Sequence, residues 1–100
     1  MRRIAVITPV THLEGVFDLL KTKGEVFLYE EASKEEVRTL LLDKNIDTIF
    51  CNPNQQTYKI DKELLDGTVV DTIDTASTGM NHIDQKYCSE VGIEVLSLTK

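Results

Sequence analysis

The chain contains 100 residues, of which 41% are hydrophobic and 28% are charged, a composition typical of one soluble globular domain. The net charge of -6, with scattered lysines and arginines, argues against nucleic-acid binding, which requires a basic surface. The apolar runs are too short to span a membrane, and MRRIAVITPV has too short an apolar region for a secretory signal. These features predict a cytoplasmic domain in which Cys51 and Cys88 are reduced, half-buried thiols.

The chain begins with a strand pattern that is followed by a helix pattern. The run IAVI at residues 4–7 predicts a strand that ends before Thr8 and Pro9. Thr11 and Glu14 have the spacing of a capping box, which predicts a helix over residues 11–23 that Gly24 ends. The residues expected on its buried side are Leu13, Val16, Phe17 and Leu20.

A second strand and a second helix repeat this arrangement. The segment EVFLYEEA predicts the strand, and Ser33 and Glu36 form the next capping-box pattern. The helix is expected over residues 33–44, with Asn45 ending it. Its expected buried side consists of Val37, Leu40 and Leu41.

The third strand pattern, IDTIFC, ends in the polar loop NPNQQTY. The segment DKELLDG then predicts a short helix capped by Asp61 and closed by Gly67. The fourth strand pattern is VVDTIDTAS, in which Asp71 and Asp74 interrupt the apolar residues.

A helix is expected over residues 81–91, with Asn81 as its N-cap, Asp84 at the third position and Gly92 at its end. Its expected buried side consists of Ile83, Tyr87 and Val91. IEVLSL predicts a fifth strand close to the end of the chain.

This alternation of strands and helices predicts an α/β domain with a flavodoxin-like, five-stranded parallel sheet in the order 2-1-3-4-5. Right-handed crossovers would place the helix at 11–23 on one face and the other helices on the opposite face. Ligands bind outside the carboxyl ends of such strands. The relevant loops are TPVTH, NPNQQTY and TASTG.

A complete flavodoxin-like fold has a helix after its fifth strand, and this sequence ends before such a helix. We therefore expect the sheet to lack its last covering helix, which leaves apolar surface beyond the first strand bare. A large uncovered apolar patch predicts self-association or marginal stability of the isolated chain.

The turn STGMN carries the first candidate site. If a helix begins at Asn81, the N–H groups of Thr78, Gly79 and Met80 lack helical partners and lie at the positive end of its dipole. Such a turn can bind an anion. From the local pattern alone, an ordinary connection between strand and helix is the alternative.

The loop NPNQQTY carries the second candidate site. Its amides offer donors and acceptors without charge, which suits a polar organic ligand better than a metal or phosphate. The alternative is a solvated turn at Pro53.

No metal site is expected, because His12 and His82 have no cysteine or carboxylate partner at ligand spacing. Both histidines are expected to be ordinary polar residues of a first helical turn. Cys51 ends a strand where it could face a cleft, but the sequence near it shows no base that would activate the thiol.

Two other functions of flavodoxin-like folds do not fit. A phosphoacceptor receiver needs acidic residues after the first strand and an aspartate that ends the third, where this chain has Thr8-Pro9 and Cys51-Asn52. A flavodoxin needs a phosphate loop rich in Thr, Ser and Gly after the first strand, and TPVTHLEG is a poor match.

The segment DTASTGMNHIDQKYCSEVGIEVLSL resembles the D-isomer-specific 2-hydroxyacid dehydrogenases, the family of D-lactate and D-3-phosphoglycerate dehydrogenases. The resemblance extends in element order over essentially the whole chain, and NPNQQTYKIDKELLDG matches more loosely. It implies the N-terminal substrate-binding domain of such an enzyme, which faces an NAD-binding Rossmann domain across a cleft.

The resemblance implies substrate-binding roles for four residues. In this family, the turn that offers backbone N–H groups to the substrate carboxylate matches Thr78 and Gly79. The amide-rich loop on the other side of the substrate matches Asn54 and Gln55, and Asn52 is less securely placed.

The family's other functional groups have no counterpart in this sequence. Its substrate-clamping arginine, its glutamate–histidine pair and its GxGxxG fingerprint find no match. The resemblance therefore implies no catalytic, cofactor-binding or metal-binding residue in this chain, with NAD bound by a missing domain. It also implies a C-terminal helix, absent here, that covers the sheet.

The resemblance predicts part of an NAD-dependent oxidoreductase acting on a small D-2-hydroxy acid or 2-keto acid. The 100 residues alone are expected to be inactive. The alternative is a free-standing flavodoxin-like binding or interaction module without enzymatic activity. A GxGxxG encoded after residue 100 would distinguish the enzyme from the module.

Overall fold

The structure is a computed structural model that describes residues 2–7, 16–29, 33–51, 59–75 and 82–97. The strands are β1 (Arg2–Val6), β2 (Gly24–Leu28), β3 (Thr48–Cys51), β4 (Thr72–Thr75) and β5 (Glu94–Ser97). The helices are α1 (Val16–Lys23), α2 (Lys34–Asp43), α3 (Lys62–Leu65) and α4 (Gln85–Val91). The start predicted for the first helix, at Thr11 and Glu14, lies outside the described residues.

All five strands pair in parallel and form one sheet in the order β2-β1-β3-β4-β5. The predicted α/β fold and strand order are therefore confirmed. Because the strands are parallel, their carboxyl ends lie along one edge, which we call the carboxyl edge. None of the described helices is long and apolar enough to cross a membrane.

The predicted capping of α2 and α3 is also confirmed. Ser33 and Glu36 form a reciprocal capping box at the start of α2, and Asn45, which follows this helix, has a positive φ of 52°. Asp61 caps α3 by accepting a hydrogen bond from the backbone N–H of Leu64.

The start of α4 differs from the prediction. The helix begins at Gln85, and its N-cap is Asp84, whose carboxylate accepts a hydrogen bond from the Tyr87 N–H. Ile83 cannot take part in the helix because it forms a parallel bridge with Ile60. This later start changes the buried side of the helix: Cys88 is buried, whereas Val91, which was expected to be buried, is 52% exposed.

The main core lies on the face of the sheet that carries α2, α3 and α4, which we call the α2–α4 face. The strand residues Ala5, Ile49 and Ile73 belong to its hydrophobic cluster. The helices contribute Val37, Leu40, Leu41, Leu64, Leu65 and Cys88. The predicted buried side of α2 is thus confirmed, and the positions of these three helices agree with right-handed crossovers.

The opposite face, which we call the Asp74 face, is more polar than the sequence pattern predicts. Strand alternation places on it Ile4, Val6, Val26, Leu28, Thr48, Phe50, Thr72, Asp74, Glu94 and Leu96. On the part of this face formed by β3, β4 and β5, Phe50 is fully buried. Leu96 is the large hydrophobic residue that is exposed among the described positions of these three strands. Because Thr48, Phe50 and Asp74 are buried, the described residues show exposed apolar surface beyond β1 at Leu96 of β5 and not along β3 and β4.

Candidate functional site

The predicted site residues lie in two segments, 52–58 and 76–81, that are outside the described residues. Asn54 and Gln55 belong to the first segment, and Thr78 and Gly79 belong to the second. The structure does, however, describe the residues at both ends of each segment. Those residues determine where the two loops leave and re-enter the fold.

The two loops leave the sheet side by side. Residues 52–58 follow Cys51 at the end of β3, and residues 76–81 follow Thr75 at the end of β4. Cys51 and Thr75 are register partners in adjacent parallel strands. Both loops therefore start at neighbouring points of the carboxyl edge.

The loops also return side by side. The N–H of Ile60 donates to the His82 carbonyl at 2.7 Å, and the N–H of Asp84 donates to the Ile60 carbonyl at 2.9 Å. These hydrogen bonds join the residues that follow the first loop to those that follow the second. The residues that flank segments 52–58 and 76–81 are thus paired with one another both before and after the segments.

A side-chain contact links the same two segments. The Sγ atom of Cys51 lies 3.0 Å from Nε2 of His82, and it also donates to the Asp74 carbonyl at 3.6 Å. Cys51 is fully buried and His82 is 8% exposed. His82 is therefore a buried residue ahead of α4 and not the polar residue of a first helical turn that we predicted. His12 lies outside the described residues.

Burial keeps both side chains uncharged. It raises the pKa of the Cys51 thiol to about 12. Burial also lowers the pKa of His82 below its ordinary value. His82 is thus a nearby base that the local sequence did not reveal, but Cys51 remains a thiol and lacks the thiolate character of a nucleophile.

Two polar side-chain atoms near this contact have no hydrogen-bond partner among the described residues. They are Oγ1 of Thr75 and Nδ1 of His82, and both are buried. Buried polar atoms without partners are rare, because leaving one unpaired costs about 1–3 kcal/mol. Within the part of the chain that the structure describes, the carboxyl edge between β3 and β4 therefore has unused hydrogen-bonding capacity beside Cys51 and His82.

Asp74 marks a second polar region, away from this edge. Its side chain lines a cavity of about 160 Å³ on the Asp74 face, together with Arg2, Lys23, Thr48 and Glu94. Its Oδ1 atom is buried and has no hydrogen-bond partner among the residues that the structure describes. Burial raises the pKa of Asp74, although the charges of Lys23 and Arg2 oppose the shift.

The structure removes one argument for an anion site at Gly79. Because α4 begins at Gln85 and not next to Asn81, the dipole of this helix no longer supports the anion site predicted at Thr78 and Gly79. Among the described residues, no group of three or more His, Cys, Asp and Glu side chains has the arrangement of a metal site.

The sequence matches the family model of the catalytic domain of D-isomer-specific 2-hydroxyacid dehydrogenases over residues 4–100. The chain belongs to this family. A search of curated protein sequences found no match.

Solved structures share the same fold. The PH0520 protein of Pyrococcus horikoshii OT3 is 23% identical, with a TM-score of 0.81 over 99% of this chain and 28% of its own. A glyoxylate reductase from Paecilomyes thermophila is 18% identical, with a TM-score of 0.77 over 96% of this chain and 31% of its own. An NAD-dependent formate dehydrogenase from Staphylococcus aureus, solved with NAD, is 21% identical, with a TM-score of 0.71 over 99% of this chain and 33% of its own. The chain therefore spans about a third of the length of these proteins or less.

Proposed function

We propose that this chain is the substrate-binding part of an NAD-dependent oxidoreductase that acts on a small D-2-hydroxy acid or 2-keto acid. In this proposal, the backbone N–H groups of Thr78 and Gly79 bind the substrate carboxylate. Asn54 and Gln55 contact the substrate from the other loop. We also propose a cytoplasmic location, which the free thiols of Cys51 and Cys88 support.

The observation that carries this proposal is the pairing of the two loops at both ends. Cys51 and Thr75 hold their starts together, and Ile60 and His82 hold their returns together. This arrangement supports a ligand site between the loops, at the carboxyl edge where α/β sheets bind their ligands. Family membership supports the choice of ligand.

The chain itself does not fit a dinucleotide. The sequence that follows β1, where a Rossmann fold carries its glycine fingerprint, reads Ile7-Thr8-Pro9, and the sequence has no GxGxxG. We therefore propose that NAD, which supplies or accepts the hydride, is bound by another part of a longer polypeptide. That part would also supply the cation that pairs with the substrate carboxylate, since this chain has a net charge of -6.

The carboxylate site can be tested by titrating the ¹⁵N-labelled chain with pyruvate. We expect saturable shifts of the Thr78 and Gly79 amide signals at millimolar pyruvate, and no such shifts with acetone, which lacks the carboxylate. Gly79→Ala should weaken binding about fivefold or more, because a methyl group at the turn displaces the N–H groups. In a longer polypeptide that includes the NAD-binding part, it should raise the KM for the keto acid and leave NAD affinity unchanged.

Gly92→Ala provides a matched control. Gly92 has a φ of +82° with no atom within 4 Å of an added Cβ, so the substitution strains the backbone far from the loops. Equal pyruvate affinity of Gly79→Ala and the wild-type chain would contradict the carboxylate site. The chain alone should neither oxidise NADH with pyruvate nor bind NAD in calorimetry. Saturable NAD binding would contradict the proposal that another part of a longer polypeptide binds NAD.

A further inference from the structure

The described residues that line the cavity on the Asp74 face form a buried floor and a charged rim. Asp74 and Thr48 belong to the floor and are 2% and 3% exposed. Arg2, Lys23 and Glu94 belong to the rim, and all three are exposed. The cavity therefore places one carboxyl group away from water and three charged groups at its opening.

The floor of this cavity lacks a hydrogen-bond donor for Asp74. Its Oδ1 atom is buried and has no hydrogen-bond partner within the described ranges. The Thr48 hydroxyl donates to Oδ1 of Asp47 at 2.7 Å. The Thr72 hydroxyl donates to Oδ1 of Asp71 at 2.8 Å. Since a hydroxyl has one hydrogen, neither threonine can also donate to Asp74, and its carboxylate is open to a donor from outside the chain.

The charges around the cavity are balanced. Burial raises the pKa of Asp74, the charges of Lys23 and Arg2 oppose this shift, and the charge of Glu94 adds to it. A ligand with a single positive charge would be repelled by Lys23 and Arg2, and one with a single negative charge would be repelled by Asp74 and Glu94. A ligand that carries both charges avoids both penalties. Arg2 already donates to the Asp71 carboxylate, so Lys23 is the cation better able to receive an anionic group.

The volume of the cavity limits the size of such a ligand. At about 30 Å³ for each water-sized group, a cavity of about 160 Å³ holds about five such groups, which is the size of glycine. We propose that this cavity binds a small zwitterionic α-amino acid, with its ammonium group at Asp74 and its carboxylate at Lys23. The ammonium group has three N–H donors and supplies the hydrogen bond that Oδ1 of Asp74 lacks. The site lies on the Asp74 face and does not rest on the proposed function.

Glycine added to the ¹⁵N-labelled 100-residue chain tests the site. We expect saturable shifts of the Lys23, Asp74 and Glu94 amide signals at millimolar glycine, with NaCl keeping the ionic strength constant. Methylammonium lacks the carboxylate and acetate lacks the ammonium group, so each should bind at least about tenfold more weakly at these signals. Glycine should also raise the Tm at neutral pH, because it supplies a partner for the ionised Asp74.

Two variants each remove one charge from the site. Asp74→Asn removes the negative charge with little change of shape, and Lys23→Met removes the positive charge on the exposed rim. Each should weaken glycine binding about tenfold or more. Asp43→Asn and Lys86→Met make the same substitutions at exposed positions of α2 and α4 and should leave the glycine affinity unchanged.

The absence of saturable shifts at Lys23, Asp74 and Glu94 would overturn the proposal, and so would an unchanged glycine affinity in Asp74→Asn. Shifts confined to Cys51 and Thr75 would place glycine at the carboxyl edge and would also overturn it. Equal affinities for methylammonium and glycine would show that Lys23 does not bind the carboxylate, and the assignment of a zwitterion would be wrong. If Asp74→Asn does not fold, Lys23→Met decides, because this substitution on the exposed rim leaves the floor of the cavity intact.

Discussion

At the scale of single residues, Asp74 is the group whose environment departs furthest from the sequence expectation. The sequence pattern treats it as an interruption of a strand, whereas the structure buries it to 2% exposure. Within the described ranges its Oδ1 atom has no hydrogen-bond partner, and the charged groups that face it are Arg2 on β1, Lys23 on α1 and Glu94 on β5. A carboxyl group in this position is expected to destabilise the fold when it ionises.

We therefore predict that Asp74→Asn raises the Tm at neutral pH. The pKa of Asp74 is higher in the folded chain than in the unfolded chain. Between these two pKa values, the folded chain keeps a proton on Asp74 that the unfolded chain has lost. The protonated carboxyl group of Asp74 therefore contributes to stability below the ordinary carboxyl pKa of about 4. This contribution is lost as the pH rises through the raised pKa of the folded chain. Asparagine cannot ionise, so the variant should lose this pH dependence.

Thermal unfolding followed by circular dichroism between about pH 4 and pH 8 measures this effect. Asp43→Asn makes the same substitution at an exposed position of α2 and should leave the pH profile close to that of the wild type. A lower Tm for Asp74→Asn at neutral pH would show that the folded chain stabilises the ionised carboxylate.

At the scale of the elements, Gly24 decides how closely β1 and β2 approach. It pairs in register with Arg2, and an added Cβ would lie 2.0 Å from the Arg2 carbonyl oxygen. The sequence pattern treats Gly24 as a residue that ends a helix. The structure shows that the helix ends at Lys23 and that glycine is needed because the neighbouring strand comes so close.

We predict that Gly24→Ala lowers the free energy of unfolding by about 2–4 kcal/mol, because the two strands must separate locally. Gly67→Ala is the control, since its φ of +80° introduces backbone strain while the nearest atom lies 3.9 Å from the added Cβ. That variant should lose about 1 kcal/mol. Urea denaturation measures the free energy of unfolding of both variants. Equal losses would show that the close approach of β1 and β2 does not determine the effect of Gly24→Ala.

The capping box of α2 gives a second prediction at this scale. The hydroxyl of Ser33 accepts a hydrogen bond from the Glu36 N–H at 3.2 Å, and the Glu36 carboxylate accepts one from the Ser33 N–H at 2.9 Å. Ser33→Ala should lower the free energy of unfolding by about 1 kcal/mol in urea denaturation. Ser89→Ala, inside α4, should be neutral or stabilising because alanine favours the helix. If Ser33→Ala leaves the free energy of unfolding unchanged, water replaces the capping hydrogen bond without loss of stability.

At the scale of the whole molecule, we propose that the isolated chain self-associates through the Asp74 face or is marginally stable. Leu96 is 39% exposed on this face and Leu28 is 49% exposed at its other side. A cavity of about 160 Å³ lies beside Asp74 on this face, so the described side chains do not fill the space there. Sheets of this kind are normally covered on both faces.

Sedimentation velocity and binding of a hydrophobic dye test this proposal. We expect the wild-type chain to form oligomers or to bind the dye, and Leu96→Lys to shift it towards monomer. Leu42→Lys places the same charge at a leucine of α2 that is 43% exposed, and it should not change the association. A dye-silent wild-type monomer with a high Tm would contradict the proposal.

The sequence alone predicted the strand order, the placement of α2, α3 and α4 on one face of the sheet, and the caps of α2 and α3. These features depend on interactions within a few residues or on general rules of chain geometry. The capping box of Ser33 and Glu36 is local, and the handedness of parallel crossovers holds in about 98% of cases. The family was also predictable, because the segment from Asp74 to Leu98 carries its motif within one continuous stretch.

Only the tertiary structure showed what surrounds the candidate loops. The thiol of Cys51 meets the ring of His82 across a separation of 31 residues, and the bridge between Ile60 and Ile83 delays the start of α4. These contacts join segments distant in the chain, so neither spacing nor periodicity reveals them. The burial of Asp74 has the same origin: strand alternation gives its side of the sheet, but the neighbouring strands and α1 decide how much water reaches it.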